Sequence, residues 1–211
     1  MALDGSASGG HAVRSPPVPG GPRTLVLSGS TRRPSKSRAL GEAIAARLVG
    51  KVFTEIEVLD LVDAGSGLGA AFTRDALDRR AGAVVDAVER ADALVVVTPV
   101  HKAAYPGLFK HLMDLVDPGA LIDKPVVIGA TGGGHRHALV PEHQLRPLFG
   151  FFSAATVATS IYAAEGEFVD GRIADPAVLD RIERAASQLA AALCARGAPA
   201  HGGAMSHATA E

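Results

Sequence analysis

The chain has 211 residues, 47% of them hydrophobic and 4% aromatic, and its formal net charge is −1. That length suits one α/β domain with an ample core, and the near-neutral charge excludes bulk attraction to nucleic acid or an anionic membrane. The single Cys194 excludes an intramolecular disulfide and fits a reducing compartment; no apolar run approaches the roughly 20 residues of a membrane span, so a cytoplasmic location is expected.

Residues 1–22 are rich in Gly, Ser, Pro and Ala and have no apolar signal core, which predicts a disordered tail. Residues 201–211 read as a second loose tail, and 23–200 as the folded domain. Leu25, Val26 and Leu27 read as a buried first strand that stops at Gly29. Leu40, Ala43, Ile44 and Leu48 recur at helical spacing, predicting a helix over 37–49. Val52, Thr54, Ile56 and Val58 alternate with Glu55 and Glu57, as in a half-exposed strand over 52–59. A loop with Gly65, Gly67 and Gly69 follows, and then Leu77, Ala81, Val84 and Val88 mark a helix over about 75–90. Ala93 to Thr98 is the continuous apolar run of a strand buried on both faces. Leu108, Leu112 and Leu115 mark a third helix, Pro125 to Thr131 a fourth strand, 138–152 a fourth helix and Thr156 to Tyr162 a fifth strand. A last helix over 176–195 carries Leu179, Ile182, Leu189 and Leu193.

Strands alternating with helices give a doubly wound parallel α/β sheet, and five strands fit the flavodoxin-like order 2-1-3-4-5. In that order strands 1, 3 and 4 are neighbours. The loops 29–37, 99–107 and 131–137 therefore leave carboxyl ends that face one crevice.

Each loop has its own chemistry. Loop one carries Ser30, Thr31, Arg32, Arg33, Ser35, Lys36 and Ser37 at a helix start, where hydroxyls, guanidinium groups and backbone amides converge on a small anion, most simply a phosphate. Neither G-x-x-x-x-G-K-S/T nor G-x-G-x-x-G is present, and no acidic residue ends strand three to hold magnesium. A monophosphate ester that is held rather than hydrolysed suits such a site. Asp60 is set aside as a ribose ligand, because the dinucleotide glycines are missing. In loop two Pro99 stiffens the turn, the amides after it can hydrogen-bond a flat heteroaromatic edge, and His101 and Tyr105 flank that edge. In loop three, Thr131-Gly132-Gly133-Gly134-His135, glycines permit close backbone approach to a stacked ring, with a flexible turn as the alternative. A phosphate pocket at one end and a planar slot at the other have the shape of flavin mononucleotide (FMN). Hydride can pass directly between two stacked rings, so no catalytic acid or base is required. The His135–His137 pair has no neighbouring Cys, Asp or Glu, and no metal is expected there.

The segments GSTRRPSKS, TPVHKAAYPGLFKHLMDLV and GATGGGHRHALVPEHQLRPLFGFF resemble, in order and spacing over residues 23–165, the NAD(P)H-dependent FMN reductases. They are most similar to the reductase components of two-component alkanesulfonate and methanesulfonate monooxygenases. The resemblance implies a homodimer or homotetramer that reduces FMN with NADPH or NADH and hands reduced flavin to a separate FMNH2-dependent monooxygenase. It implies that Ser30, Arg32, Ser35 and Ser37 hold the phosphate, that Pro99, Val100, His101, Lys102 and Tyr105 border the isoalloxazine, and that Thr131, Gly132, Gly133 and His135 touch its far edge. His101 stands where the family often has Tyr. His143 stands where related chains form a π-bulge at a tetramer interface. Leu145, Leu148, Phe149, Phe151 and Phe152 point in several directions, and a helix apolar all round is expected to be covered by another subunit. Two alternatives share these motifs: an FMN-retaining reductase of quinones, azo dyes or metal oxyanions, and a non-enzymatic flavodoxin-type electron carrier. The near-neutral charge argues against the carrier.

Overall fold

The computed structural model describes residues 21–198. The tails expected at 1–22 and 201–211 lie outside the described residues, apart from residues 21 and 22. The chain runs β1 (Arg23–Ser28), α1 (Lys36–Val49), β2 (Glu55–Asp60), the short α2 (Leu61–Ala64) and α3 (Gly67–Ala70), α4 (Arg79–Arg90), β3 (Ala93–Pro99), α5 (Gly107–Asp114) and β4 (Pro125–Gly132). Next come a 3₁₀ turn (His135–His137), a π-helical turn (Pro141–Leu145), α6 (Arg146–Phe151), β5 (Ala155–Thr156) and β6 (Ile161–Ala164). A second 3₁₀ turn (Glu165–Glu167) leads into the two-residue strands β7 (Phe168–Val169) and β8 (Arg172–Ile173), and α7 (Pro176–Ala195) follows them. The main sheet is parallel in the order β2-β1-β3-β4-β5, with β6 also paired to β4.

The central strands are buried on both faces, which is why they read as unbroken apolar runs. On one face Leu25, Leu27, Leu94, Val96 and Ile128 pack against Val84, Val88, Phe109, Leu112 and Phe149. On the other, Val26, Val95, Val97 and Val127 pack against Leu40 and Ile44 of α1 and Ile182 and Leu189 of α7. Both cores lock β1, β3 and β4 side by side, and so fix where their three loops emerge.

Several elements depart from the sequence-based boundaries, each for a local reason. β2 begins at Glu55, because the Thr54 hydroxyl turns into the core and shares a 2.8 Å hydrogen bond with Thr24. α4 begins at Arg79, because the Asp78 side chain caps it by accepting from the Ala81 amide at 2.8 Å. The fifth strand is split in two. Between the halves the carbonyls of Val157 and Ala158 accept from Arg146 and that of Ser160 from Arg181, so side chains replace the ladder there. The helix expected over 138–152 is broken into the 3₁₀ turn, the π turn and α6. In the π turn the Arg146 amide donates to the Pro141 carbonyl, five residues back. Its apolar residues do not await a second subunit as a group: Leu145 and Phe149 are fully buried and Phe152 nearly so, all in this chain's own core. Phe151 alone of the five is largely exposed, at 71%. The β7–β8 hairpin was not foreshadowed, since two-residue strands carry no readable period.

Candidate active site

Loop one is shaped by its own serines. β1 pairing continues to the Gly29 amide, which donates to Val97 O at 2.8 Å; a Cβ at Gly29 would come within 2.7 Å of the Thr98 methyl. Ser30 Oγ donates to Arg32 O at 3.0 Å, so its one hydrogen is committed within the turn. Ser35 caps α1 by accepting from the Arg38 amide at 3.2 Å, and its own O–H remains available to an anion. Ser37 Oγ and Thr131 Oγ1 share a buried 2.7 Å hydrogen bond that ties loop one to loop three. The first helical bond of α1 is that of Ala39 N to Ser35 O, so the amides of Lys36 and Ser37 open the helix with no partner inside it.

Behind this turn lies a charge cluster. Asp60, fully buried at the end of β2, takes a two-pronged contact from Arg33 at 2.7 and 2.9 Å and one from Arg38 at 3.0 Å. Arg33 also reaches Asp63 at 2.6 Å, and Arg38 reaches Glu42 at 2.9 Å. The hydrogen bonds that Arg33 donates to Asp60 and Asp63 raise its pKa above the ordinary value. Burial of Asp63 works against its charge, but the Asp60 amide and Arg33 outweigh that and hold it below the usual carboxylate range. Asp60 is therefore the anchor of the arginines, a long-range pairing that the sequence motif alone does not display. Arg32, exposed, makes no ion pair among the described residues, and Lys36 pairs with Glu165.

Loops two and three are joined by backbone. Val100 N donates to Thr131 O at 2.8 Å. His101 and Ala104 exchange both backbone bonds, at 2.8 and 3.2 Å, around a tip in which Lys102 (φ 52°) and Ala103 (φ 71°) are left-handed. The amides of Val100 and His101, expected to meet a ring edge, are thus already used; those of Lys102 and Ala103 carry none of these bonds. Tyr162 Oη donates to Gly134 O at 2.5 Å from behind loop three, and a Cβ on Gly132 would lie 2.3 Å from that oxygen. Gly133 is the reverse case: it faces the cleft, and a Cβ there would meet nothing within 4 Å.

The three loops wall one cleft of about 1320 Å³. Of the residues singled out from the sequence, Ser30, Arg32, Ser35, Ser37, Pro99, Val100, His101, Thr131, Gly132 and Gly133 line it. Lys102, Tyr105 and His135 do not. Lys102 stands exposed at the tip of its turn. Tyr105 leans edge-on against Phe109, with ring centroids 5.6 Å apart, and His135 points out beside Glu167 at 3.8 Å. Glu165 and Gly171, unmarked in the sequence, also line the cleft. His143 is exposed in the middle of the π turn. Among the described residues no group of three or more His, Cys, Asp or Glu side chains could hold a metal ion. A smaller hollow of about 280 Å³, lined by Arg23, Glu55 and Arg90, opens at the amino ends of β1 and β2, away from the loops.

Residues 22–168 match the family described as NADPH-dependent FMN reductase. The chain belongs to that family. It is 46% identical over 168 residues to the NADH-dependent FMN reductase SfnF of Pseudomonas fluorescens (strain Pf0-1), covering 80% of this chain and 90% of that one. It is 44% identical, with the same coverage, to FMN reductase (NADPH) of Pseudomonas aeruginosa. Among solved structures, an oxidoreductase from Corynebacterium diphtheriae superposes with a TM-score of 0.73 at 31% identity, covering 82% of this chain and 98% of that one. The cleft of this family member fits FMN on its own geometry. Helix amides, Arg32 and Lys36 gather at one end, and the bare main chain of Gly133 leaves room for a flat ring at the other.

Proposed function

We propose that this protein reduces FMN at the expense of NADH or NADPH and supplies reduced flavin to an FMNH2-dependent monooxygenase of sulfur metabolism. The observation that carries the reading is the single cleft walled by all three loops, with Ser37 and Thr131 bonded across it at 2.7 Å. Two relatives named for different donors, NADH and NADPH, stand at nearly equal identity, 46% and 44%. The Lys36 and Ser37 amides, the Ser35 hydroxyl and the Arg32 guanidinium bind the phosphate. The Pro99–His101 rim and the Gly132–Gly133 main chain hold the ring flat. When bound, FMN supplies the hydride-accepting ring. The residues of the chain orient the two rings and do not have to move a proton. The exposed Leu139 and Phe151, with His143 in the π turn between them, form the contact surface of a homodimer or homotetramer. The enzyme works in the cytoplasm; among the described residues no helix is long and apolar enough to cross a membrane.

The test follows the oxidation of NADH and of NADPH with FMN as the sole added acceptor. Turnover that saturates with FMN, and reduced flavin recovered free of protein, is the expected result. Absence of oxidation with either donor overturns the reading. Light scattering at micromolar concentration tests the assembly, and a monomer there removes that part.

A further inference from the structure

The phosphate end of the cleft contains one carboxylate that anion binding does not call for. Glu165 reaches the cleft from the 3₁₀ turn before β7, and its Oε1 lies 2.5 Å from Lys36 Nζ. Asp60, Asp63 and Glu42 brace Arg33 and Arg38 from one side. Glu165 belongs to a different element, 129 residues from Lys36 in the chain, and braces no arginine. Its partner is the first residue of α1, whose amide opens the helix that faces an anion. The pair is not held by burial: the Glu165 side chain is 68% exposed and that of Lys36 40%. Placement holds it, because Lys36 Nζ also lies 5.7 Å from the centroid of the Phe168 ring in β7. Lys36, and more weakly Arg32, lower the pKa of the Glu165 carboxyl, so it is ionised at neutral pH.

We propose that Glu165 is a built-in competitor for the flavin phosphate: it holds the Lys36 ammonium until a phosphate takes it over, which weakens FMN binding and lets the product leave. The inference rests on the reading of loop one as the phosphate site. It assigns Glu165 to release rather than to chemistry, and it explains why a cleft rich in cations can serve a flavin that must depart after each turnover.

Glu165→Gln keeps the shape and removes the charge. Flavin titrations at low salt are expected to show FMN binding about fivefold tighter to this variant than to the parent, the size of one exposed charge contact. Release of FMN is expected to slow to match, and the gain to shrink as salt screens the charges. Glu165→Ala is expected to act in the same direction. Riboflavin, which has the ring but no phosphate, is the control and is expected to bind both variants as it binds the parent. Lys36→Gln is expected to weaken FMN and leave riboflavin unchanged, and to abolish most of the gain from Glu165→Gln when the two are combined. The proposal is overturned if FMN affinity is unchanged or weaker in both Glu165 variants, or if riboflavin shifts by the same factor as FMN. A parent protein that binds FMN and riboflavin equally overturns instead the phosphate reading beneath it.

Discussion

At the loop-one end of the cleft, Arg33 and Arg38 converge on a fully buried carboxylate, while at the other end the turns of loops two and three are shaped by main-chain bonds and by the room around a glycine. The turns of loops two and three also divide unexpectedly between themselves. The turn without glycine places Lys102 and Ala103 at φ 52° and 71°, whereas none of the three glycines of loop three has a left-handed φ. Two consecutive left-handed residues are what a tight two-residue hairpin demands, and reciprocal backbone bonds between His101 and Ala104 hold them there. In loop three glycine serves space instead: Gly132 makes way for the Tyr162 hydroxyl, and Gly133 leaves bare main chain facing the cleft. Glycine content therefore says little about which of two turns is strained.

Removing the buried charge is the most severe way to test the loop-one end. Asp60→Asn is expected to lower stability by about 3 kcal/mol in urea denaturation, since Arg33 and Arg38 lose a buried partner. It is also expected to weaken FMN, because the turn loses its anchor. A loss below about 1 kcal/mol with FMN affinity intact would show that the cluster does not hold the turn. Gly132→Ala comes next, at about 1–3 kcal/mol, through its clash with Tyr162. Combining it with Tyr162→Phe is expected to recover part of that loss, and a double variant no better than the single one counts against the space argument.

Much of this site was legible in advance, and the illegible part has a common cause. Strand order brought the three loops to one rim, and the spacing of Leu40, Ile44 and Leu48 marked α1, because periodicity is a local signal. The last helix, 176–195, was readable for the same reason. The partners of Arg33 and Arg38 were not, because Asp60 lies 27 and 22 residues away and its role depends on tertiary placement. Glu165 escaped notice likewise. The break in the fifth strand depends on Arg146 and Arg181 reaching its carbonyls, which no alternation pattern records. The π turn at His143 was suggested by family resemblance and not by periodicity.

The remaining tests are gentler and separate the turns of loops two and three. Ala103→Gly is expected to raise stability by about 0.5–1 kcal/mol, because glycine removes the left-handed strain at some cost in chain entropy. A decrease would mean that the tip is not strained. Gly133→Ala is the smallest in stability, within about 0.5 kcal/mol of the parent, since its Cβ meets open space. Its effect is expected in kinetics, as a several-fold rise in KM for FMN with an unchanged melting temperature. An unchanged KM would place the ring elsewhere.

The broken fifth strand has a consequence for assembly. A sheet whose last strand gives its carbonyls to guanidinium groups offers an incoming chain no continuous row of acceptors. At the opposite border β2 carries Glu55 and Glu57, charges that discourage a neighbour from zipping on. Each margin therefore lacks the long, uncharged, uninterrupted edge that ribbon-like pairing between copies would need.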